Sequence, residues 1–221
     1  MKKLSSPFQL IKKSVDLFSK KENFLFLIKI YIPVAIFSVL SVAQSYLPDS
    51  FKNSNVILLT IVAAVLQLLY LLTGVLVAAA GIIAIGKIVE GKGLLVKETF
   101  LSTKKSYWMF LLLSVVLVVV YGLGFVLLIV PGLLFVVWFA FGKFIMIEKG
   151  TGIKKSLMES KEMAKGNYWK ILGRLAVFGL FMIIVEMALS IIPFGIGTVL
   201  ASLCGALFIL PTYLLYKEIS A

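Results

Sequence analysis

Six apolar blocks, separated by lysine-rich or proline-containing breaks, dominate the chain: residues 24–47, 56–85, 107–130, 133–147, 168–192 and 196–216. A helix needs about 20 apolar residues to cross the hydrocarbon region of a membrane. The pattern therefore predicts an all-α polytopic transmembrane bundle of about six spans, arranged as three hairpins, with residues 1–221 forming one integral membrane domain. The second block is long enough to tilt or to project beyond the bilayer. The fourth is short, about 15 residues or roughly 22 Å of helix, so a full crossing there calls for local thinning or a partly re-entrant path.

Amphipathic stretches fill the gaps. In the first, Ser6 can cap a helix and Pro7 can take its first position, after which Phe8, Ile11, Val15 and Phe18 share a face. The second carries a weaker stripe of Val96, Phe100 and Thr103. The third places Ile153, Leu157 and Ala164 at helical spacing and stops at Gly166-Asn167. Such helices lie in the headgroup plane with their lysines toward water, or else pack on the bundle as plain connectors.

The same order of features recurs, giving repeat units 1–86, 87–147 and 148–221. Each unit reads as a basic amphipathic segment, an outward span, a proline-containing turn (Pro48, Pro131, Pro193) and an inward span. Tyr107-Trp108 after Lys104-Lys105 parallels Tyr168-Trp169 after Lys165, and Ile11-Lys12-Lys13-Ser14 parallels Ile153-Lys154-Lys155-Ser156. Two inward spans end alike, at Glu90-Gly91-Lys92 and Glu148-Lys149-Gly150. All three units run the same way, unlike the inverted repeats of many transporters.

Composition sharpens this picture. The chain is 61% hydrophobic, with mean hydropathy +1.09, more than a soluble core can hide. Net charge is +12. Twenty of the 22 Lys and Arg residues sit in 1–23, 87–105, 143–174 or at Lys217, and basic segments beside spans stay cytoplasmic. Both termini are then cytoplasmic, in a multi-pass protein of the cell (inner) membrane. Parity also requires the fourth block to cross. The lysines read as topology signals and as contacts for anionic membrane lipids, notably Lys12, Lys13, Lys104, Lys105, Lys154 and Lys155, rather than as a nucleic-acid surface. No cleaved signal peptide is expected, because the first apolar block starts at Phe24 and is too long for one.

With no histidine and a single cysteine, Cys204, the chain lacks the parts for His- or Cys-rich metal sites, a Ser-His-Asp triad or an intramolecular disulfide. Eight of its ten acids interleave with the cytoplasmic lysines. Gly91-Lys92-Gly93 lacks the spacing of a phosphate-binding loop. No catalytic, cofactor or metal site is expected. Glu186 is the exception among the acids, roughly 9 Å below the outer end of the fifth span. A carboxylate at that depth faces the bundle or a cavity, or reaches the outer headgroups. Proton or cation handling is its natural chemistry. Gln67 and Gln44 are the other polar span residues, fit to hydrogen-bond between helices or to line a path with Glu186. Lys29, Lys143 and Arg174 suit snorkelling, and Gly74, Ala78, Gly81, Gly195, Gly197, Ala201 and Gly205 suit close helix approach.

From Val130-Pro131-Gly132 through Arg174 the chain resembles the glycerophosphoryl diester phosphodiesterase membrane-domain superfamily, which includes YciC-like bacterial membrane proteins. The matching positions are Pro131, Gly132, Trp138, Glu148, Gly150, Ser156, Ser160, Gly166 and Trp169. The resemblance covers about a fifth of the chain and implies a six-span fold without the soluble phosphodiesterase domain, and a link to envelope integrity. The chain departs from the pattern at Ala140, Gly142 and Lys143, where many relatives carry a proline. The leading expectation is a non-enzymatic scaffold for envelope or lipid homeostasis; the alternative is a small-solute or ion transporter or channel using Glu186. A homo-oligomer, or a protein partner such as a lipid enzyme, is left open.

Overall fold

A computed structural model describes residues 4–46, 56–93 and 95–220. Pro48, Asp49 and Lys52, together with Lys2 and Lys3, lie outside them. Ten helices form among the described residues: α1 (Pro7–Ser19), α2 (Lys21–Ser45), α3 (Val56–Val89), α4 (Val96–Leu127), α5 (Ile129–Phe139), α6 (Gly142–Lys149), α7 (Ile153–Ala164), α8 (Tyr168–Ser190), α9 (Ile196–Leu203) and α10 (Gly205–Ser220). Six segments are long and apolar enough to cross a membrane: α2, α3, α4, α5 with α6, α8, and α9 with α10. These helices mark a multi-pass integral membrane protein.

The local signals at the first helix hold. The Gln9 N–H donates to Ser6 Oγ at 3.2 Å, and the Ser6 N–H donates to Gln9 Oε1 at 3.0 Å, a reciprocal cap behind Pro7. The expected apolar face is divided, however. Leu10, Ser14 and Phe18 are buried, whereas Phe8 (73% exposed) and Val15 point away from the bundle. Ser14 tolerates burial because its hydroxyl donates to Leu10 O at 2.7 Å.

Three other expectations change. The second amphipathic stretch is no separate helix, since α4 runs unbroken from Val96 and at 32 residues reaches about 48 Å, longer than a roughly 30 Å hydrocarbon core. The fourth span is not short: it covers Ile129–Lys149, 21 residues, with an interruption at Ala140–Phe141. Pro131 sits in the first turn of α5 rather than in a loop, and Leu128 alone, in extended conformation, separates α5 from α4. Gly124 and Gly132 let these two helices touch. A Cβ on Gly124 would lie 3.0 Å from Gly132 Cα, and one on Gly132 would lie 2.5 Å from the Phe125 ring.

Buried side chains gather toward one end. They come from Phe26–Ala35 of α2, Val77–Ile88 of α3, Phe110–Leu117 of α4, Val137–Met146 of α5 and α6, Ile171 and Phe178 of α8, and Ala206–Tyr216 of α10. These are the halves nearest the lysine-rich segments. At the opposite end residues such as Ile57, Ile61, Val65, Val126, Leu127 and Ile191 are exposed. Membrane proteins have no hydrophobic drive to bury such groups against one another, because lipid tails solvate them equally well. Helix α9 leans on α2 more extensively than on its sequence neighbour α8.

Candidate functional site

The compact end is closed by a charged clasp. Tyr213, Tyr216 and Lys217 occur at spacings of three and four on α10, hence on one face. Both tyrosine hydroxyls donate to Glu148 at the end of α6, that of Tyr216 at 3.0 Å. Lys217 Nζ is 2.8 Å from Glu148 Oε1 and 3.5 Å from Glu90 Oε1, just past α3. Glu90 in turn holds Lys92 at 2.6 Å. This hydrogen bond keeps the Glu90 carboxyl below, and the Lys92 ammonium above, its ordinary range. Lys217 thus joins the ends of α3, α6 and α10. A cavity of about 350 Å³ opens beside the clasp, lined by Gly86, Lys87, Glu90, Lys92, Glu148 and Tyr213 among others.

The chain start is strapped to the same end. Arg174 Nε and Nη2 donate to Ser5 O at 2.9 and 2.7 Å, and Nη2 donates to Leu4 O at 3.1 Å. Glu218 accepts from the Ser5 N–H at 3.1 Å and from Ser5 Oγ at 2.5 Å. Residues 4–5 therefore lie beside the last turn of α10. Arg174 is a clasp for the N-terminal segment rather than a free snorkelling cation. Lys143 lies 5.5 Å over the Phe110 ring.

The motif residues shape the fourth span and the helix after it. Ser160 of α7 donates to Trp138 O at 2.7 Å and accepts from the Phe141 N–H at 3.1 Å, satisfying the backbone freed by the interruption. Lys161, the next residue, stands 4.5 Å over the Trp138 ring. Gly150 and Gly166 adopt φ of +61° and +79°, which ends α6 and the α7 turn at little steric cost. Ser156 Oγ bonds Thr151 Oγ1 at 2.7 Å. Trp108 (75% exposed) and Trp169 (79% exposed) project outward, each in edge contact with the preceding tyrosine at 5.4 and 5.3 Å.

Lys12, Lys13, Lys104, Lys105, Lys154 and Lys155 are all exposed. None forms an ion pair with a described residue. Between α2 and the α3–α4 connection lies a cleft of about 550 Å³ whose lining includes Glu22, Asn23, Lys29 and Lys92 with Leu25, Phe26 and Ile88.

Glu186 sits at the open end in a cavity of about 410 Å³ with Tyr70, Ser190, Gly197, Thr198, Ala201, Ser202 and Phe208. Gln67, one turn before Tyr70 on α3, is exposed, Gln44 on α2 is half-buried, and neither lines that cavity. The structure does not assemble the three into one polar path. It interrupts two spans, at Ala140–Phe141 and at Cys204. Of the suspected close-approach glycines, Gly81, Gly195, Gly197 and Gly205 press on neighbours, whereas Gly74 meets open space. No family model, curated protein or solved structure matches the chain.

Proposed function

We propose that the chain is a non-catalytic membrane scaffold whose lysine-rich end rests on an anionic cytoplasmic leaflet, in support of envelope or lipid homeostasis. The observation that carries this reading is the three-way division of α1. At about 100° per residue, Leu10, Ser14 and Phe18 face the protein. Phe8 and Val15, both exposed, form a second apolar face, and Gln9, Lys13 and Asp16 form a third, polar one. A connector needs two faces; a helix floating at a lipid surface beside a bundle needs three. Lys12 borders the outward apolar face, where its ammonium can meet headgroups.

The outward Trp108 and Trp169 suit the interface beside such a helix. Each lysine near an anionic leaflet contributes on the order of 1 kcal/mol, so six exposed ones without ionic partners make a strong preference. Membership of the glycerophosphoryl diester phosphodiesterase membrane-domain superfamily belongs to the same proposal. Supporting it, the motif serine Ser160 and glycines Gly150 and Gly166 all meet local structural demands.

Native mass spectrometry on protein extracted from mixed-lipid membranes tests the reading. Anionic phospholipid is expected to be retained well above its share of the membrane. Replacing Lys12, Lys13, Lys104, Lys105, Lys154 and Lys155 together with Gln is expected to remove the excess. Retention in proportion to membrane composition, in wild type, would sink the proposal.

A further inference from the structure

The open end of the bundle carries a second chemistry, independent of the lysine-rich end. Glu186 lines the cavity between α3, α8 and α9, and among the described residues no lysine or arginine lines it. Among the described residues nothing hydrogen-bonds or pairs with its carboxylate. A carboxylate one turn inside an apolar helix, with no basic neighbour, is costly unless a proton or a cation compensates it.

The other lining groups favour a cation. Ser190 Oγ donates to Met187 O at 2.7 Å, and Ser202 Oγ donates to Val199 O at 2.7 Å. With their protons committed to backbone carbonyls, both hydroxyls offer only lone pairs to the cavity. Thr198 and Tyr70 also line the cavity, and each carries a hydroxyl. Gly197 fixes the geometry: a Cβ there would collide with the Leu189 carbonyl, so α9 can start hard against the end of α8 only because residue 197 is glycine. Helix α9 is itself a half-span, ending at Cys204 before α10 resumes. Ser190 is the last residue of α8 and lines the cavity, so the carbonyl end of that helix borders it, and carbonyl ends of helices are where membrane proteins hold small cations.

We infer that Glu186, Ser190, Thr198 and Ser202 form a binding site for a sodium-sized monovalent cation. All-oxygen ligands without thiol or imidazole select a hard ion. One carboxylate balances one positive charge, whereas a divalent ion would remain half-compensated. The site needs neither Gln67 nor Gln44, and it makes no demand on the lipid-facing lysines.

The test uses the full chain in neutral detergent, with its thermal midpoint followed as NaCl replaces choline chloride at constant ionic strength and pH. A ligand that binds the folded state raises that midpoint with concentration. Wild type is expected to show a saturable rise with Na⁺ and none with choline. Glu186→Gln, nearly isosteric at an exposed position, should abolish the rise. Thr198→Ala and Ser202→Ala should move half-saturation upward by about tenfold, as expected for loss of one contact to a charged group. Equal midpoints in Na⁺ and choline for wild type would overturn the site. So would an undiminished rise in Glu186→Gln, or a midpoint that follows pH but not Na⁺, which would mean that a proton alone neutralises Glu186.

Discussion

Glu148→Ala is expected to lower stability by about 3 kcal/mol, a fall in thermal midpoint of roughly 6–12 °C for a chain of this size. The wild-type carboxylate accepts from Tyr213 and Tyr216 and pairs with Lys217. Its removal leaves two hydroxyls of tyrosines that are 0% and 1% exposed without their Glu148 acceptor, and Lys217 with only the longer ion pair to Glu90. Leaving a buried donor unmade costs more than a hydrogen bond contributes on average. Glu148→Gln should fall between the two, because its carbonyl can still accept from one tyrosine but cannot compensate Lys217. Differential scanning fluorimetry in detergent checks the order. A midpoint for Glu148→Ala within about 2 °C of wild type, less than 1 kcal/mol, would show that the clasp does not tie the span ends.

Gly81→Val should be comparably damaging, by about 2–3 kcal/mol, and for a different reason. Tyr31 of α2 is buried between Gly81 of α3 and Gly205 of α10, and a Cβ on Gly81 would lie 2.5 Å from its hydroxyl and 3.2 Å from Cζ. The hydroxyl has no hydrogen-bond partner among the described residues. Tyr31→Phe should therefore be neutral or slightly stabilising alone, since it deletes a buried unpaired group. In the double variant it should recover part of the Gly81→Val loss, because the tightest contact disappears. Contacting residues couple in this way, while distant ones add. Strict additivity of the two changes would contradict the packing of Tyr31 against Gly81.

The six long apolar helices were legible because length and hydropathy decide them locally. The two interruptions were not. Trp138-Phe139-Ala140-Phe141 and Leu203-Cys204-Gly205 read as continuous apolar helix, and the first break is satisfied by Ser160, about 20 residues further along. Helix α1 shows a second limit. Periodicity gathers Phe8, Ile11, Val15 and Phe18 into one stripe, yet a membrane protein has two apolar surroundings, the protein interior and the lipid. Hydropathy cannot separate Phe8 from Phe18, nor foresee that Ser14 is buried by bonding its own helix.

The clasp was half visible. The repeat set Glu90 and Glu148 at equivalent helix ends, where interleaved lysines made charge balance a sufficient reason for them. The tyrosine partners on α10 lie 65 and 68 residues beyond Glu148, and only the fold brings them back. Tyr213, Tyr216 and Lys217 at spacings of three and four were the available signal. Glu186 stood out by its depth in an apolar block, but the hydroxyls that share its cavity come from helices whose mutual placement no local pattern encodes.

Orientation is tested most directly by the side from which single cysteines react. In a Cys204→Ser background, Lys13→Cys, Lys104→Cys and Lys155→Cys report the lysine-rich end, and Phe194→Cys reports the exposed turn at the open end. A membrane-impermeant thiol reagent should label all three lysine positions only in inside-out vesicles, and Phe194→Cys only in right-side-out ones. Labelling of any lysine position from the same side as Phe194→Cys would contradict a bundle that presents its entire basic end to the cytoplasmic leaflet.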